Sequence, residues 1–381
     1  MLDFDFTPEQ ELARQALREL LARVAPREYV RRCDAEHRPP REAFQALAAH
    51  GWLGVGWPEE YGGSGGDPID VAIVLEECGR VHLDLALWVF RSLSHGGMAI
   101  MRDGTEEQKR WFLPRIARGE ISLSFGLTEA QAGSDAAAIQ TTAVRDGDDY
   151  VITGEKWFTS GFAISDYCLL TARTRRGGAK HEGLTNFLVD TRSPGITARR
   201  LETLGTWALG TYVVRYDAVR VPARNVLGPV DQGWRGLMHY LETERLCLSA
   251  ARTGAAAAAF EEALAYAKLR EQFGQPIGKF QAISHKLADM ALMVDISRLL
   301  VYRFAWLLKH DRPRVKEAAM LKLYTAEAYK TIADWGVQIL GGYGYTMESD
   351  MQRHYRDSKF GTIGGGTSEI QRNIIAKQLG L

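Results

Sequence analysis

Apolar residues recur at helical spacing through the first third of the chain. They alternate over short runs in the middle and return to helical spacing, over longer runs, towards the end. In "TPEQELARQALRELLARV", Leu12, Ala16, Leu20 and Val24 recur along one helical face. The stretch opens with Thr7 as N-cap, Pro8 at the first helical position and Gln10 completing a capping box. "GTEEQKRWFLPRI" repeats the device with Thr105 and Gln108, and "WPEEYGGSGGDPID" between them predicts a loop. From about Ser122 to Pro229 no helix-length period is present. "YVITGEKWFTSG" and "TYVVRYDAVRVP" are β-branched and aromatic, and "VRDGDDYVITG" predicts a hairpin around Asp146-Gly147. Beyond Gly233 the pattern predicts one helix of about forty residues with Gly254 tolerated inside it. Further helices are predicted near 280–309, 313–341 and 367–379. The order α, β, α divides the chain into 1–121, 122–230 and 231–381.

One position breaks the pattern. Leu237, Leu241 and Leu248 share a face of the long helix, and Glu244 lies on that same face. Its helical neighbours Tyr240, Leu241, Cys247 and Leu248 include no base. Glu242, by contrast, has Arg245 three residues on and reads as a rim pair. A carboxylate in an apolar stripe is costly when ionised, and burial suits such a group to accept a proton. Two readings stand: Glu244 pairs with an arginine from another helix, or it acts as a base.

The loop "TIGGGTSEI", Thr362 to Ile370, also has two readings. It lacks the Lys-Ser/Thr of a P-loop, and no G-x-G-x-x-G follows a strand in a βαβ unit. It is either a turn with Ser368 as N-cap and Gln371 as capping partner, or a set of backbone N–H groups that meets a ligand oxygen.

Composition narrows the classes. The 381 residues carry 47 Lys plus Arg and 47 Asp plus Glu, so no electrostatic footprint for nucleic acid is present. No apolar run is long enough for a bilayer. Cys33, Cys78, Cys168 and Cys247 are far apart and form no C-x-x-C, which argues against zinc or a disulfide framework and fits a cytoplasmic protein. No metal site is expected.

Taken together, "LTEAQAGSD", "ITGEKWFTSG", "YAKLREQFGQPIGKFQAISHKLADM", "QILGGYGYTMESDMQRHYRDSKF" and "GGGTSEIQRNIIAKQLG" resemble the acyl-CoA dehydrogenase family, in order and over nearly the whole chain. The resemblance implies an α+β multidomain fold: an N-terminal helical domain, a β-barrel-like middle domain and a C-terminal four-helix bundle. It implies FAD held without a Rossmann fold, with Phe125, Leu127, Thr128, Gly133 and Ser134 among its contacts. Phe158 falls where a Trp often lies against the flavin, and Ser160 where a Thr often meets flavin N5. Arg270, Phe273 and Gln281 match residues that reach the FAD of a neighbouring subunit, Gln338 and Gly342 match the loop near its ADP part, and Thr367 and Glu369 match the C-terminal loop. The implied partners are an acyl thioester on coenzyme A or a carrier protein, electron transfer flavoprotein or a similar acceptor, and further copies of the chain in a homodimer or homotetramer.

In many members a loop glutamate removes the α-proton of the thioester while hydride leaves the β-carbon for flavin N5. Here Gly365 stands at that position. A minority, including isovaleryl-CoA and long-chain enzymes, carries the base on the helix, where this chain has Glu244-Arg245. The resemblance therefore implies catalysis by Glu244, with the Gly365 N–H helping to polarise the thioester carbonyl. Relatives acting as oxidases or monooxygenases, and non-catalytic subunits of hetero-oligomers, are the alternatives. "LWVFRSLSHGGMAI" falls where the family lines its acyl pocket. Arg91 and His95 there point either to a polar or short acyl group or to plain packing and solvent contact.

Overall fold

A computed structural model describes residues 5–381. The N-terminal region is helical: α1 (Pro8–Val24), α2 (Arg27–Ala35), α3 (Arg41–Ala49), α4 (Pro68–Val81), α5 (Leu83–Phe90), a π-helical segment (Arg91–Met98), α6 (Ala99–Asp103) and α7 (Glu106–Ala117). Thr7 with Gln10, and Thr105 with Gln108, form the expected capping boxes. The buried stripe of α1 is Leu17, Leu20 and Leu21; Leu12 is exposed, because the helix rolls the more densely apolar face of the same cylinder onto its neighbours.

The middle region holds β1 (Leu123–Gly126), β2 (Thr142–Asp146), β3 (Asp149–Ser160), β4 (Tyr167–Arg173), β5 (Leu184–Asp190), β6 (Ile196–Leu201), β7 (Thr211–Pro222) and β8 (Val226–Leu227). Asp146 pairs with Asp149 across the predicted hairpin. The barrel-like expectation is overturned: the sheet is open. Its order is β6-β7-β3-β2-β4-β5-β8, with β1 alongside β4, and its two ends do not pair. The terminal strand β6 is largely exposed and carries Arg199 and Arg200, charges that protect an edge rather than close it. A separate apolar cluster including Tyr150, Ile152, Phe187, Val214 and Tyr216 fills the sheet.

The C-terminal region is a helix bundle. The helices α8 (Gly233–Leu269), α9 (Gln281–Lys309) and α10 (Val315–Leu340) fold back on one another, with a small hairpin β9 (Glu271–Gln272) and β10 (Gln275–Pro276) between the first two. Helix α11 (Gly342–Tyr345) follows, then α12 (Asp350–Gly361) and α13 (Ser368–Gln378), both packed on α10. Helix α12 is absent from the periodicity reading; buried charged residues such as Asp350, Arg353, Arg356 and Asp357 hide its inner face.

Helix α8 ties the helical regions together. A Cβ on Gly254 would lie 1.9 Å from the Glu76 carbonyl oxygen, and one on Gly79 2.0 Å from that of Ala251. Gly254 is therefore required by the close approach of α4, beyond being tolerated. All four cysteines are buried and free.

Candidate active site

Leu237 and Leu248 are buried, and Glu244, on the same face of α8, is 6% exposed. Its partner is not an arginine. The Nε2 of His95 lies 3.1 Å from Glu244 Oε2, across from the π-helical segment. Oε1 faces the glycine loop: a Cβ on Gly365 would sit 3.2 Å from it. The carboxylate thus approaches a loop position that has no side chain of its own.

The loop is shaped by backbone and tethers. Gly365 and Gly366 have φ of +70° and +86°, a left-handed course that glycine takes freely. Lys322 Nζ donates to the Gly366 carbonyl. Gln371 Nε2 donates to the carbonyls of Gly365 and Gly366 at 3.2 and 3.1 Å. The N-cap of α13 is Thr367, which accepts from the Ile370 N–H; Ser368, expected as the cap, instead donates to Glu327 at 2.7 Å. Capping shifts by one residue because the preceding glycines place Thr367 in extended backbone. Both loop carbonyls are engaged, whereas no hydrogen bond among the described residues uses the Gly365 N–H.

Three cations stand around Glu244. Burial lowers Arg245 from its ordinary value and lowers Arg252 to about 10, and the Glu244 carboxylate opposes both shifts. Lys322 is brought down to about 7, first by burial and then by the charges of Arg252 and Arg245. Arg245 does not form the expected rim pair. Glu242 accepts from Arg314 Nε at 3.0 Å, which leaves Arg245 turned inward with a buried Nε that lacks a partner. Arg252 lies 5.8 Å from the Phe360 ring centre, and both of its terminal nitrogens lack hydrogen-bond partners.

Arg91 and His95 are both buried, so the solvent-facing option is excluded. Arg91 Nη1 donates to the Ser160 carbonyl at 3.0 Å, and burial lowers this guanidinium to about 10. The His95 ring packs edge-on to Phe90 and 4.8 Å from Phe125, whose ring in turn meets Tyr240 of α8.

The strand side is fixed by a buried ion pair. Lys156 Nζ bonds Glu129 at 2.8 Å and the Leu127 carbonyl at 2.9 Å, while Glu129 also accepts from the backbone N–H of Gln140 and Thr141. This pins "LTEAQAGSD" against β3, and the Trp157 N–H donates to the Thr128 carbonyl. Phe158 sits at a register shift in β3 with φ +59°, and the residue is 59% exposed. Ser160 Oγ lies 3.1 Å from Thr211 Oγ1. Gly133, Ser134 and Glu369 are at the surface.

The structure thus joins Phe125, His95, Glu244 and Gly365 in one chain of contacts, with Thr128 in the loop after β1 and Ser160 at the end of β3. It does not bring Arg270, Phe273, Gln281, Gln338 or Gly342 there. These exposed residues lie where α8 ends, α9 starts and α10 ends. Arg270 is about 39 Å from Glu244 along the helix axis at 1.5 Å per residue.

Family models match three successive stretches that together span most of the chain. Residues 7–120 match the acyl-CoA dehydrogenase N-terminal domain, 124–219 the middle domain and 231–380 the C-terminal domain. The chain belongs to the acyl-CoA dehydrogenase family. It is 39% identical over 380 residues to the probable acyl-CoA dehydrogenase YngJ of Bacillus subtilis strain 168, covering 99% of this chain and 100% of that one. The fold matches butyryl-CoA dehydrogenase from Megasphaera elsdenii with a TM-score of 0.94 and 32% identity, over 100% of both chains. The prolyl acyl carrier protein oxidase AnaB matches with a TM-score of 0.94 and 31% identity, covering 99% of this chain and 100% of that one.

This acyl-CoA dehydrogenase is an oxidoreductase that uses FAD to dehydrogenate an acyl thioester. The residues present fit that cofactor: an aromatic ring held open at a strained bulge, beside hydroxyls on two adjacent strand ends, suits a flat ring system. No helix among the described residues is long and apolar enough to cross a membrane.

Lys322 and Arg252 escaped the sequence reading, and Gln371, expected as the capping partner of Ser368, instead holds the loop carbonyls. The first two carry the same signal as Glu244, less sharply. Lys322 lies three and four residues from Ala318, Ala319, Thr325 and Ala326, all buried, and Arg252 likewise from Leu248, Ser249, Ala255 and Ala256.

Proposed function

We propose that this enzyme belongs to the subgroup whose base rides on the C-terminal helix, with Glu244 removing the α-proton of the acyl thioester. The observation that carries this reading is the buried carboxylate whose Oε1 sits 3.2 Å from the Cβ position of Gly365. A base needs position before strength, and a dry site multiplies the effect of preorganised donors. Bound FAD supplies the hydride acceptor. The free Gly365 N–H is aimed at the thioester carbonyl, and Arg245, Arg252 and Lys322 balance the Glu244 charge. Thr128, Ser160 and Phe158 line the cofactor side, with Phe125, Leu127, Gly133, Ser134, Thr367 and Glu369 around them.

The separation of about 39 Å along α8 supports a second role for Arg270, Phe273, Gln281, Gln338 and Gly342: contact with the cofactor of another copy in a homodimer or homotetramer. Electron transfer flavoprotein is the proposed acceptor. A curated relative, 35% identical, is described as a subunit of a caffeyl-CoA reductase-Etf complex. The thioester carrier is coenzyme A or an acyl carrier protein.

The test is anaerobic bleaching of the bound flavin by butanoyl, 3-methylbutanoyl and hexadecanoyl thioesters on both carriers. Bleaching by one class, lost in Glu244→Gln, is expected. Bleaching that persists in Glu244→Gln would remove the base assignment. Rapid reoxidation of the reduced flavin by air would favour an oxidase instead.

A further inference from the structure

Glu244 is held by a side-chain hydrogen bond from one side only, and the holder, His95, takes no part in the proton transfer proposed above. Oε2 meets His95 Nε2 at 3.1 Å, and Oε1 faces Gly365. The two oxygens are therefore not equivalent. His95 Nδ1 is buried and has no hydrogen-bond partner. A carboxylate oxygen only accepts, so the ring proton belongs on Nε2; a proton on Nδ1 would be a buried donor with nothing to receive it. The ring itself is fixed, edge-on to Phe90 at 4.7 Å and tilted against Phe125 at 4.8 Å. Its backbone comes from the π-helical segment Arg91–Met98, whose wider turn sets the side-chain directions that an α-helix would not.

We propose that His95 is a positioning residue for the base: it holds Glu244 Oε2 so that Oε1 alone receives the substrate α-proton. This rests on Glu244 being the base. The C–H bond at the α-carbon breaks, its proton joins Oε1, and its electron pair becomes the α,β double bond as the β-hydrogen leaves with its own pair, which bound FAD would accept; the His95 Nε2–H stays in place throughout. His95 orients and does not relay, because Nδ1 has no group to pass a proton to. Without it, the carboxylate is free to rotate towards Arg245, Arg252 or Lys322, the cations whose charges act on it.

The test compares His95→Leu, His95→Asn and His95→Gln, each in wild-type and Glu244→Gln backgrounds. The readout is anaerobic bleaching by whichever of butanoyl-, 3-methylbutanoyl- or hexadecanoyl-CoA reduces the wild type. His95→Gln puts an amide N–H near the Nε2 position; His95→Asn falls short of it. Expected is a loss of about 10²-fold in the bleaching rate for Leu and Asn, with KM little changed and the α-deuterium isotope effect increased. Gln should recover most of the rate, and in the Glu244→Gln background His95→Leu should cost nothing further.

The inference fails if His95→Leu bleaches at the wild-type rate. It also fails if Gln does no better than Asn, or if the His95→Leu loss persists without Glu244. Should Glu244→Gln alone keep the wild-type rate, the base assignment itself falls. That outcome is separate from an inactive Glu244→Gln with a normal His95→Leu, which removes only the positioning role. If His95→Leu does not retain flavin, the Asn and Gln pair still decides, since both keep a polar amide and differ in reach.

Discussion

Two segments face each other across the site, and they contribute by opposite means. The turn of α8 at Glu244 offers a side chain on rigid backbone, with its reach set by helix geometry and the His95 contact. The glycine run 364–366 offers only backbone, with its course set by two left-handed glycines and by Lys322 and Gln371. A helix side chain is placed well because every neighbouring hydrogen bond resists its displacement. A glycine loop is placed well only when something else holds its carbonyls. The same catalytic geometry can therefore be damaged from either side, with different signatures.

The largest effect is expected on the helix side. Glu244→Gln keeps shape and loses the base, and flavin bleaching by the reactive thioester should slow by about 10³-fold, with thioester binding retained in a titration. Gly365→Ala attacks the loop side. The left-handed φ costs an alanine about 1–2 kcal/mol, and its methyl would stand 3.2 Å from Glu244 Oε1. A loss of about tenfold in bleaching rate corresponds to 1.4 kcal/mol, and a structure of the variant should show the loop or the carboxylate displaced.

Lys322→Met removes the loop tether, and its stability signature depends on pH. The folded-state value, about 7, lies below the unfolded one near 10.5. The unfolded chain thus binds more protons between those values, so this lysine makes stability rise with pH across that window. Its destabilising contribution is complete below pH 7 and fades towards pH 10. Melting curves from pH 7 to 9.5 should show a shallower rise for Lys322→Met than for the wild type. An unchanged slope would mean that Lys322 is not the group responsible. The smallest effect belongs to Thr367→Ala, which removes the α13 cap at a cost of about 1 kcal/mol. Denaturant unfolding should register it, with bleaching slowed far less than in Gly365→Ala.

Much of this site was legible, through one rule applied at one place. Glu244 stood out as a charge in an apolar stripe. Lys322 and Arg252 break the pattern less sharply, because their neighbours at three and four residues, though buried, are mostly small residues such as alanine, serine and threonine. Strand positions were readable from alternation, whereas closure was not, since alternation marks a buried face and says nothing about which edges pair. Helix α12 was hidden because ion pairs such as Arg356–Asp34 make its buried face look polar. The Glu242–Arg245 spacing suited a helical pair, yet Arg314 from beyond α9 took the glutamate.

Local pattern was enough for the order of helical and strand regions, the carboxylate on the inner face of α8, and the absence of a side chain at position 365. Periodicity and capping encode these because they depend on neighbours within a few residues. Packing between distant elements made His95, 149 residues from Glu244, its holder, left the middle sheet open, and turned Lys322 into a tether for the loop. Burial of a face is a local property of the chain. The identity of the group that meets it depends on how separate elements pack, and no local pattern carries that information.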